Sequence, residues 1–474
     1  MNTANKANTE VINPGSFRDP DGFLFNRGKI LYRQVNTPAQ EDYELLMTSG
    51  LYQRLVNLGL LIPHEEVKIP FARPEKGYKI LQPRYIPFIS YPYEWCFSQL
   101  KDAALTTLTL QKIALEHGMT LKDSSAYNIQ FLEGKPVFID TLSLERYREG
   151  EPWQAYRQFC QHFLAPLALM SHTDIRLGQL LRIYIDGIPL DLAAALLPFS
   201  SRFRLSLYLH LHFHGKTQKR YENKVLTQKS RRITRMQFQG IIDSLEGAIK
   251  KLKWEPRGTP WENYYTDTNY STQALDHKLA VLSGWVEQVK PAAVWDLGAN
   301  TGLFGRTAAD KGILTIAFDM DPAAVEKNYL QARKKGETHI LPLVVDLTNP
   351  SPGLGWENRE RASFMARGPV DMIFALALLH HLAIANNVPL GKLAFFFSEL
   401  CRYLVLEFVP KSDTQVRRLL ATREDIFPDY TGQALETEFS RYFEIKAVSK
   451  IKDSHRVLYL LKRRQAPGAE IEPR

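Results

Sequence analysis

Ala292-Ala-Val-Trp-Asp-Leu-Gly-Ala-Asn-Thr-Gly302 decides the reading of this chain. The apolar run Ala292–Trp295 has strand character and ends in Asp296. A turn holding Gly298 and Gly302 follows, and a helix is expected from about Leu303. A strand that ends in an acid and a glycine turn brings backbone N–H groups and a carboxylate close to a ligand. About 20 residues on, a second strand-like run, Ile313–Phe318, ends in Asp319, where α/β folds place a ligand for ribose hydroxyls. Together they imply a nucleoside-type cofactor. The spacing departs from G-x-G-x-x-G, and no lysine follows Gly302, so neither the dinucleotide fingerprint nor the Walker A loop fits.

The pattern resembles the first motif of class I S-adenosylmethionine (SAM) methyltransferases, an apolar strand followed by D-x-G-x-x-x-G. The resemblance continues in order through Leu341–Asp346, Asp371–Leu382 and Tyr403–Phe408 as third, fourth and fifth strands. Phe443–Val448 and Arg456–Leu461 follow as a closing antiparallel pair. It implies an α/β fold, a seven-stranded Rossmann-like domain over 264–464, with SAM as cofactor. Asp296, Gly298, Asn300, Gly302 and Asp319 would hold SAM, with Asp346 near the adenine amine. Candidate catalytic groups lie in the loops after strands four and five: His380, His381 and Glu407. An imidazole suits proton removal from a hydroxyl, and His380, nearer the strand end, is the favoured base.

No [DNS]-P-P-[YFW] follows strand four, and no cysteine follows strands four or five at the position of the cytosine-C5 nucleophile, since Cys401 comes before strand five. Planar amines and cytosine C5 are therefore disfavoured as acceptors. An oxygen or carbon of a small molecule or saccharide is expected instead. The arrangement of a long N-terminal region before this domain resembles the bacterial methyltransferases grouped with the nodulation protein NoeA.

A chain of 474 residues, 45% hydrophobic, has room for two or three domains. The three cysteines, Cys96, Cys160 and Cys401, have no C-x-x-C spacing, which speaks against a disulfide scaffold or zinc site. No stretch approaches the roughly 20 apolar residues of a membrane span, so a soluble, cytoplasmic protein without a membrane partner is expected. The net charge of +9 is concentrated in Lys216–Arg235, where eight cations face Glu222 alone. A solvated basic helix and linker over 216–263 is one reading of that segment. An electrostatic handle for RNA is the other. An aromatic segment, Trp261–Tyr265 with Asn269–Ser271, stands where it would close over cofactor and acceptor.

Upstream, residues 1–20 read as a loose arm and 465–474 as a tail, with an α+β domain over 21–215. Gly22–Gly28 and Lys29–Val35 predict a hairpin turning at Asn26–Gly28. Glu41–Leu60 predicts one helix, Tyr78–Leu81 and Pro83–Ile86 strands, and Glu94–Gly118 a pair of helices. Trp153–Phe213 predicts further helices. Asp123-Ser-Ser-Ala-Tyr-Asn128, followed by a strand ending in Asp140, resembles the catalytic and metal-binding loops of protein-kinase-like folds. Lys122 replaces the arginine of that family's H-R-D, and Thr-Leu follows Asp140 in place of Phe-Gly. The alternative is that Asp123 and Asn128 cap turns. His210-Leu-His-Phe-His214 carries three alternating histidines on an expected helix, a spacing that separates them and leaves no metal site expected.

Overall fold

The computed structural model describes residues 10–213, 232–256, 271–421 and 423–464. It divides into two units: Met1–Glu255 with Leu354–Arg361, and Pro256–Gly353 with Ala362–Arg474.

The N-terminal unit opens with a five-stranded antiparallel sheet of β1 (Glu10–Ile12), β2 (Gly22–Arg27), β3 (Ile30–Asn36), β4 (His64–Val67) and β5 (Gly77–Pro83), in the order β1-β2-β3-β5-β4. The expected arm is thus partly ordered, since β1 pairs with β2 and Arg18 binds Glu360 at 2.7 Å. The hairpin forms, but it turns at Gly28-Lys29, because Gly28 supplies the positive φ of 61°. One long helix over Glu41–Leu60 does not form. The chain makes two, Gln40–Thr48 and Leu51–Asn57, broken where Gly50 adopts φ 78°. The second strand expected at Pro83–Ile86 is absent, as β5 ends at Pro83. The two helices expected over Glu94–Gly118 are one, Phe97–Glu116, stopped by Gly118 at φ 73°. No glycine or proline interrupts that run, and its Leu100, Ala104, Leu108 and Leu115 are buried along one face. The helix Arg235–Lys251 packs on it, with Lys112 held by Asp243 and Glu246 at 2.6 Å each.

Two short antiparallel pairs follow: β6 (Met119–Leu121) with a later strand, and β7 (Ile129–Leu132) with β8 (Lys135–Phe138). The partner of β6 is β9 (Leu144–Arg146). Short helical turns then run from Tyr156 to Phe213, and two of them, Cys160–Leu164 and Tyr208–Phe213, are π-helical.

The C-terminal unit is built on seven strands: β10 (Ala293–Leu297), β11 (Leu314–Asp319), β12 (Ile340–Val344), β13 (Val370–Ala375), β14 (Cys401–Phe408), β15 (Phe443–Lys450) and β16 (Val457–Arg463). Their order is β12-β11-β10-β13-β14-β16-β15. The first five are parallel, and β16 lies antiparallel between β14 and β15. The expectation of a seven-stranded sheet closed by an antiparallel pair holds. The helix expected near Leu303 begins at Arg306, after a run of turns. Strand residues alternate between the two faces. Val294, Phe374 and Val405 pack with Leu282, Trp285 and Val286 of the helix Thr272–Val289. On the opposite face Trp295 meets Phe318 and Phe364 at ring-centroid distances of 5.5 and 5.2 Å. The strand order reverses at β10, so the carboxyl ends of β10, β11 and β13 border the crevice where such sheets bind ligands.

Candidate cofactor and active site

The turn after β10 is fastened to β11. The N–H groups of Gly298 and Ala299 both donate to the Phe318 carbonyl at 2.9 Å. Gly298, Asn300 and Gly302 have φ of 75°, 50° and 77°, so the turn needs three left-handed residues in five. A Cβ at Gly302 would stand 2.4 Å from Asn328 Nδ2 and 2.7 Å from Arg306 Nη1, so a larger residue would strain the backbone and push both side chains aside. Arg306 braces the turn from behind. It donates to the Thr301 carbonyl at 2.7 Å and to Asn328 Oδ1 at 2.9 Å, and it pairs with Glu337 at 2.8 Å.

Asp319, at the end of β11, accepts the Asn300 N–H on Oδ2 at 2.7 Å and the Asp321 N–H on Oδ1 at 2.9 Å. The glycine turn and the second acid, 19 residues apart, are thereby one construction. Burial pushes the Asp319 carboxyl up to about 6 against those N–H donors. Asp296 is buried, and its Oδ2 has no hydrogen-bond partner. Burial pushes its carboxyl up to about 7, against the pull of Lys278. Asp346 lies two residues beyond β12, where it accepts the Thr348 N–H at 2.8 Å and the Thr348 hydroxyl at 2.7 Å.

His380 and His381 follow β13, at the start of the π-turn His381–Ala385, with ring centroids 4.2 Å apart. They differ in access. His380 is buried and its Nδ1 has no partner, whereas His381 is half-buried. Burial, then His381 and Arg456, hold the His380 imidazole well below its ordinary value. Burial and Arg456 lower His381 to about 4. Both rings are therefore neutral at physiological pH.

Glu407 is fully buried and occupied. Its Oε2 lies 2.6 Å from Lys278 Nζ and its Oε1 lies 3.4 Å from Arg456, which also binds Asp413 at 2.8 Å. The Lys278 ammonium sits 4.0 Å from the Phe304 ring centroid, and burial lowers its pKa. Sequence reading missed Lys278, Arg456 and Arg306. A signal for Lys278 existed: it stands on the apolar stripe Ala274, Leu282, Trp285 of its helix, where a solvated lysine does not belong.

In the N-terminal unit, Asn128 donates to Ser143 Oγ at 3.2 Å, and that hydroxyl donates to Asp140 Oδ2 at 2.8 Å. Arg33 Nη1 binds Asp140 Oδ1 at 2.5 Å, while Lys122 pairs with Asp21. Burial works against the Asp140 charge, yet Arg33 and Ser143 outweigh it and hold the carboxyl below its ordinary value. Asp123 caps its own turn through the Ser125 N–H at 2.8 Å. His210 bonds Tyr156 and Ser244, and His212 bonds Ser201, so both serve packing. Among the described residues no cluster of metal-ligating side chains occurs. Residues 216–231 of the basic stretch, 261–265 and 269–270 of the aromatic segment, and the tail lie outside the described residues. Arg235, at the end of that stretch, donates to the Leu115 carbonyl at 2.8 Å.

No family model matches the chain. Among solved structures it is similar to magnesium protoporphyrin IX methyltransferase (ChlM) from Synechocystis PCC 6803 with bound SAH, at 16% identity and TM-score 0.32, covering 43% of this chain and 93% of that one. It is also similar to the bifunctional kinase-methyltransferase WbdD, at 14% identity and TM-score 0.30, covering 43% and 42%. With the nodulation protein NoeA of Rhizobium meliloti (strain 1021) it shares 35% identity over 457 residues, 95% of each chain. At that identity over nearly the whole of both chains, this protein belongs to the NoeA family.

Proposed function

We propose that the C-terminal unit is a SAM-dependent methyltransferase acting on an oxygen or carbon of a small molecule or saccharide. The N-terminal unit would bind substrate or a partner. The observation that carries this reading is the joined turn and acid at the ends of β10 and β11. Two left-handed glycines open the backbone there, and Asp319 is oriented by two N–H donors. Asp319 would hold the ribose hydroxyls, the Gly298–Gly302 turn the amino-acid portion, and Asp346 the adenine edge. The orphaned Oδ2 of Asp296 is a buried acceptor that suits a cationic or N–H group, and SAM carries one. Bound SAM supplies an electrophilic methyl on a sulfonium, so the chain's work is positioning and exclusion of water.

Asp319→Ala is expected to weaken SAM binding by about 1.5–3 kcal/mol through loss of charge-assisted hydrogen bonds. Calorimetric titration reads this directly, and an unchanged dissociation constant would refute the assignment. Failure of wild-type protein to bind SAM or its demethylated product at high micromolar concentration would end the methyltransferase reading.

Affinity should also depend on pH. Ribose hydroxyls donate to the ionised carboxylate, so binding favours loss of the Asp319 proton. With that carboxyl at about 6, affinity is held above this pH and lost as pH falls through it. About tenfold weaker binding is expected at pH 5 than at pH 8. A flat profile over that range would mean that Asp319 does not touch the ligand.

A second reading concerns the N-terminal unit alone. Its β1-β2-β3-β5-β4 sheet, the helices between β3 and β4, and the Asn128–Ser143–Asp140 chain support a kinase-like nucleotide-binding scaffold. Arg33 already neutralises Asp140, so a magnesium ion there would have to displace a 2.5 Å ion pair. Thermal shift with magnesium and ATP, compared with Asp140→Ala, tests it. No shift in the wild type would leave a scaffold without nucleotide.

A further inference from the structure

The segment 354–361 interrupts the C-terminal unit in sequence and belongs to the N-terminal one. The N–H groups of Leu354 and Arg361 each donate to the other's carbonyl at 3.1 Å, which closes the segment into a lobe. Glu357 and Asn358 within it have φ of 55° and 57°, a strained backbone that persists only where other contacts hold it. Glu360 provides such contacts. Its carboxylate accepts the Trp356 N–H at 2.9 Å and two N–H groups of Arg18, from Nε at 3.1 Å and from Nη2 at 2.7 Å. The lobe is thereby fixed, and Arg361 at its end is fixed with it.

The Arg361 guanidinium carbon lies 4.1 Å from the Tyr127 ring centroid. Nη1 donates to the Glu360 carbonyl at 3.1 Å, but the buried Nε has no acceptor, and no carboxylate of the described residues pairs with this guanidinium. Arginine keeps its charge in proteins, and a charge drawn out of water calls for a counter-ion. Tyr127 also meets His162, edge to face at 6.0 Å. His162 is 2% exposed, sits in the π-turn Cys160–Leu164, and has no partner at Nδ1. Burial, then Arg361, lower its pKa to about 3, so the ring is neutral, and the Asp186 backbone favours the proton on the ring's other nitrogen. Nδ1 is left as a lone-pair acceptor without a donor. The Asp186 carboxylate acts through space on both Tyr127 and Arg18, yet no described residue donates to it.

Arg361 therefore lacks an anion, and His162 and Asp186 lack hydrogen-bond donors. Polar groups buried in folded proteins are nearly always satisfied by protein, water or ligand. Water can donate to the two acceptors but brings no charge for the guanidinium. A molecule carrying a carboxylate or phosphate together with hydroxyls supplies all three. We infer that Arg361, His162 and Asp186 form, around Tyr127, a binding site for a hydroxylated anion, a sugar acid or a sugar phosphate. Its anionic group lies on Arg361, and its hydroxyls donate to His162 Nδ1 and Asp186. The inference rests on the reading of the N-terminal unit as the part that binds substrate, and it names the chemistry of that substrate.

Calorimetric titration of the full chain without SAM tests it, so failure leaves the methyltransferase reading untouched. The probes are glucuronate, glucose-1-phosphate, glucose and inorganic phosphate. Saturable binding of a sugar anion is expected, and the tighter of the two identifies the anionic group. Glucose lacks the charge and inorganic phosphate lacks the sugar hydroxyls, so each should bind at least about tenfold more weakly. Arg361→Gln should weaken the sugar anion by about 10–100-fold, the loss expected for hydrogen bonds to a charged group. Arg361→Lys should recover part of that, since it keeps the charge without the fork. Asp186→Asn changes an exposed side chain and should weaken the sugar anion while sparing inorganic phosphate, which keeps the inference testable if Arg361→Gln does not fold. Four results would overturn it: no saturable binding at low millimolar concentration, glucose binding as tightly as the sugar anions, inorganic phosphate doing so, or unchanged affinity in both Arg361→Gln and Asp186→Asn.

Discussion

Glu407→Ala is expected to destabilise the C-terminal unit by about 3–5 kcal/mol, the range for removing one partner of a buried ion pair. Glu407 neutralises Lys278 at 2.6 Å and faces Arg456 at 3.4 Å, with all three side chains buried. Arg456 retains Asp413 after the substitution, but Lys278 loses its 2.6 Å carboxylate and keeps the Phe304 ring and the attraction of Asp296. Burial already lowers the Lys278 pKa, and losing the carboxylate lowers it further. Hydrogen exchange of the β14 and β16 amides gives the readout, since opening of this unit exposes both strands. Acceleration by about 10²–10³-fold or more is expected. The double variant Lys278→Met with Glu407→Leu should recover much of the loss, because two apolar groups leave no orphaned charge. Acceleration of tenfold or less in Glu407→Ala would show that water reaches the pair.

His381→Ala is expected to lower kcat by about 10²–10⁴-fold, the usual cost of losing a general base, with SAM affinity unchanged. Sequence order favours His380; burial leads us to propose His381 instead, since His380 is 1% exposed and His381 is half-buried. At saturating SAM the wild-type kcat should stay level from neutral pH downward and fall through about 4, where His381 takes up its proton. That acid limb should vanish in His381→Ala. An imidazole of such low basicity accepts a proton weakly, which favours an acidic acceptor over an ordinary alcohol. His380→Ala should act chiefly on stability, by emptying a buried site. Labelled SAM supplied to metabolite extracts would identify the acceptor for these rates. Equal, small effects from both variants would leave proximity as the source of rate.

The first three strands of the C-terminal sheet were legible because they are apolar runs that lead to an acid, a local pattern that needs no partner to be read. Asp296 and Asp319 belong to that pattern, and the Asn300 N–H donated to Asp319 ties the glycine turn to the second strand end. Glu407 was visible as a charged residue at a strand end, but what it does was not. Lys278 lies 129 residues before it and Arg456 lies 49 after, and no local periodicity carries that information. Upstream, helix existence was legible and helix number was not. One glycine at position 50 divided an expected helix, while the absence of any breaker between 98 and 116 joined two.

Arg306 gives the glycine turn a property that concerns time more than affinity. Its guanidinium holds Thr301, Asn328 and Glu337 together. The turn's shape is thus settled when the chain folds, and an arriving ligand has no loop to freeze. Free and loaded forms should superpose at this turn. Exchange of spent for fresh ligand would then be governed by breaking contacts rather than by opening a gate.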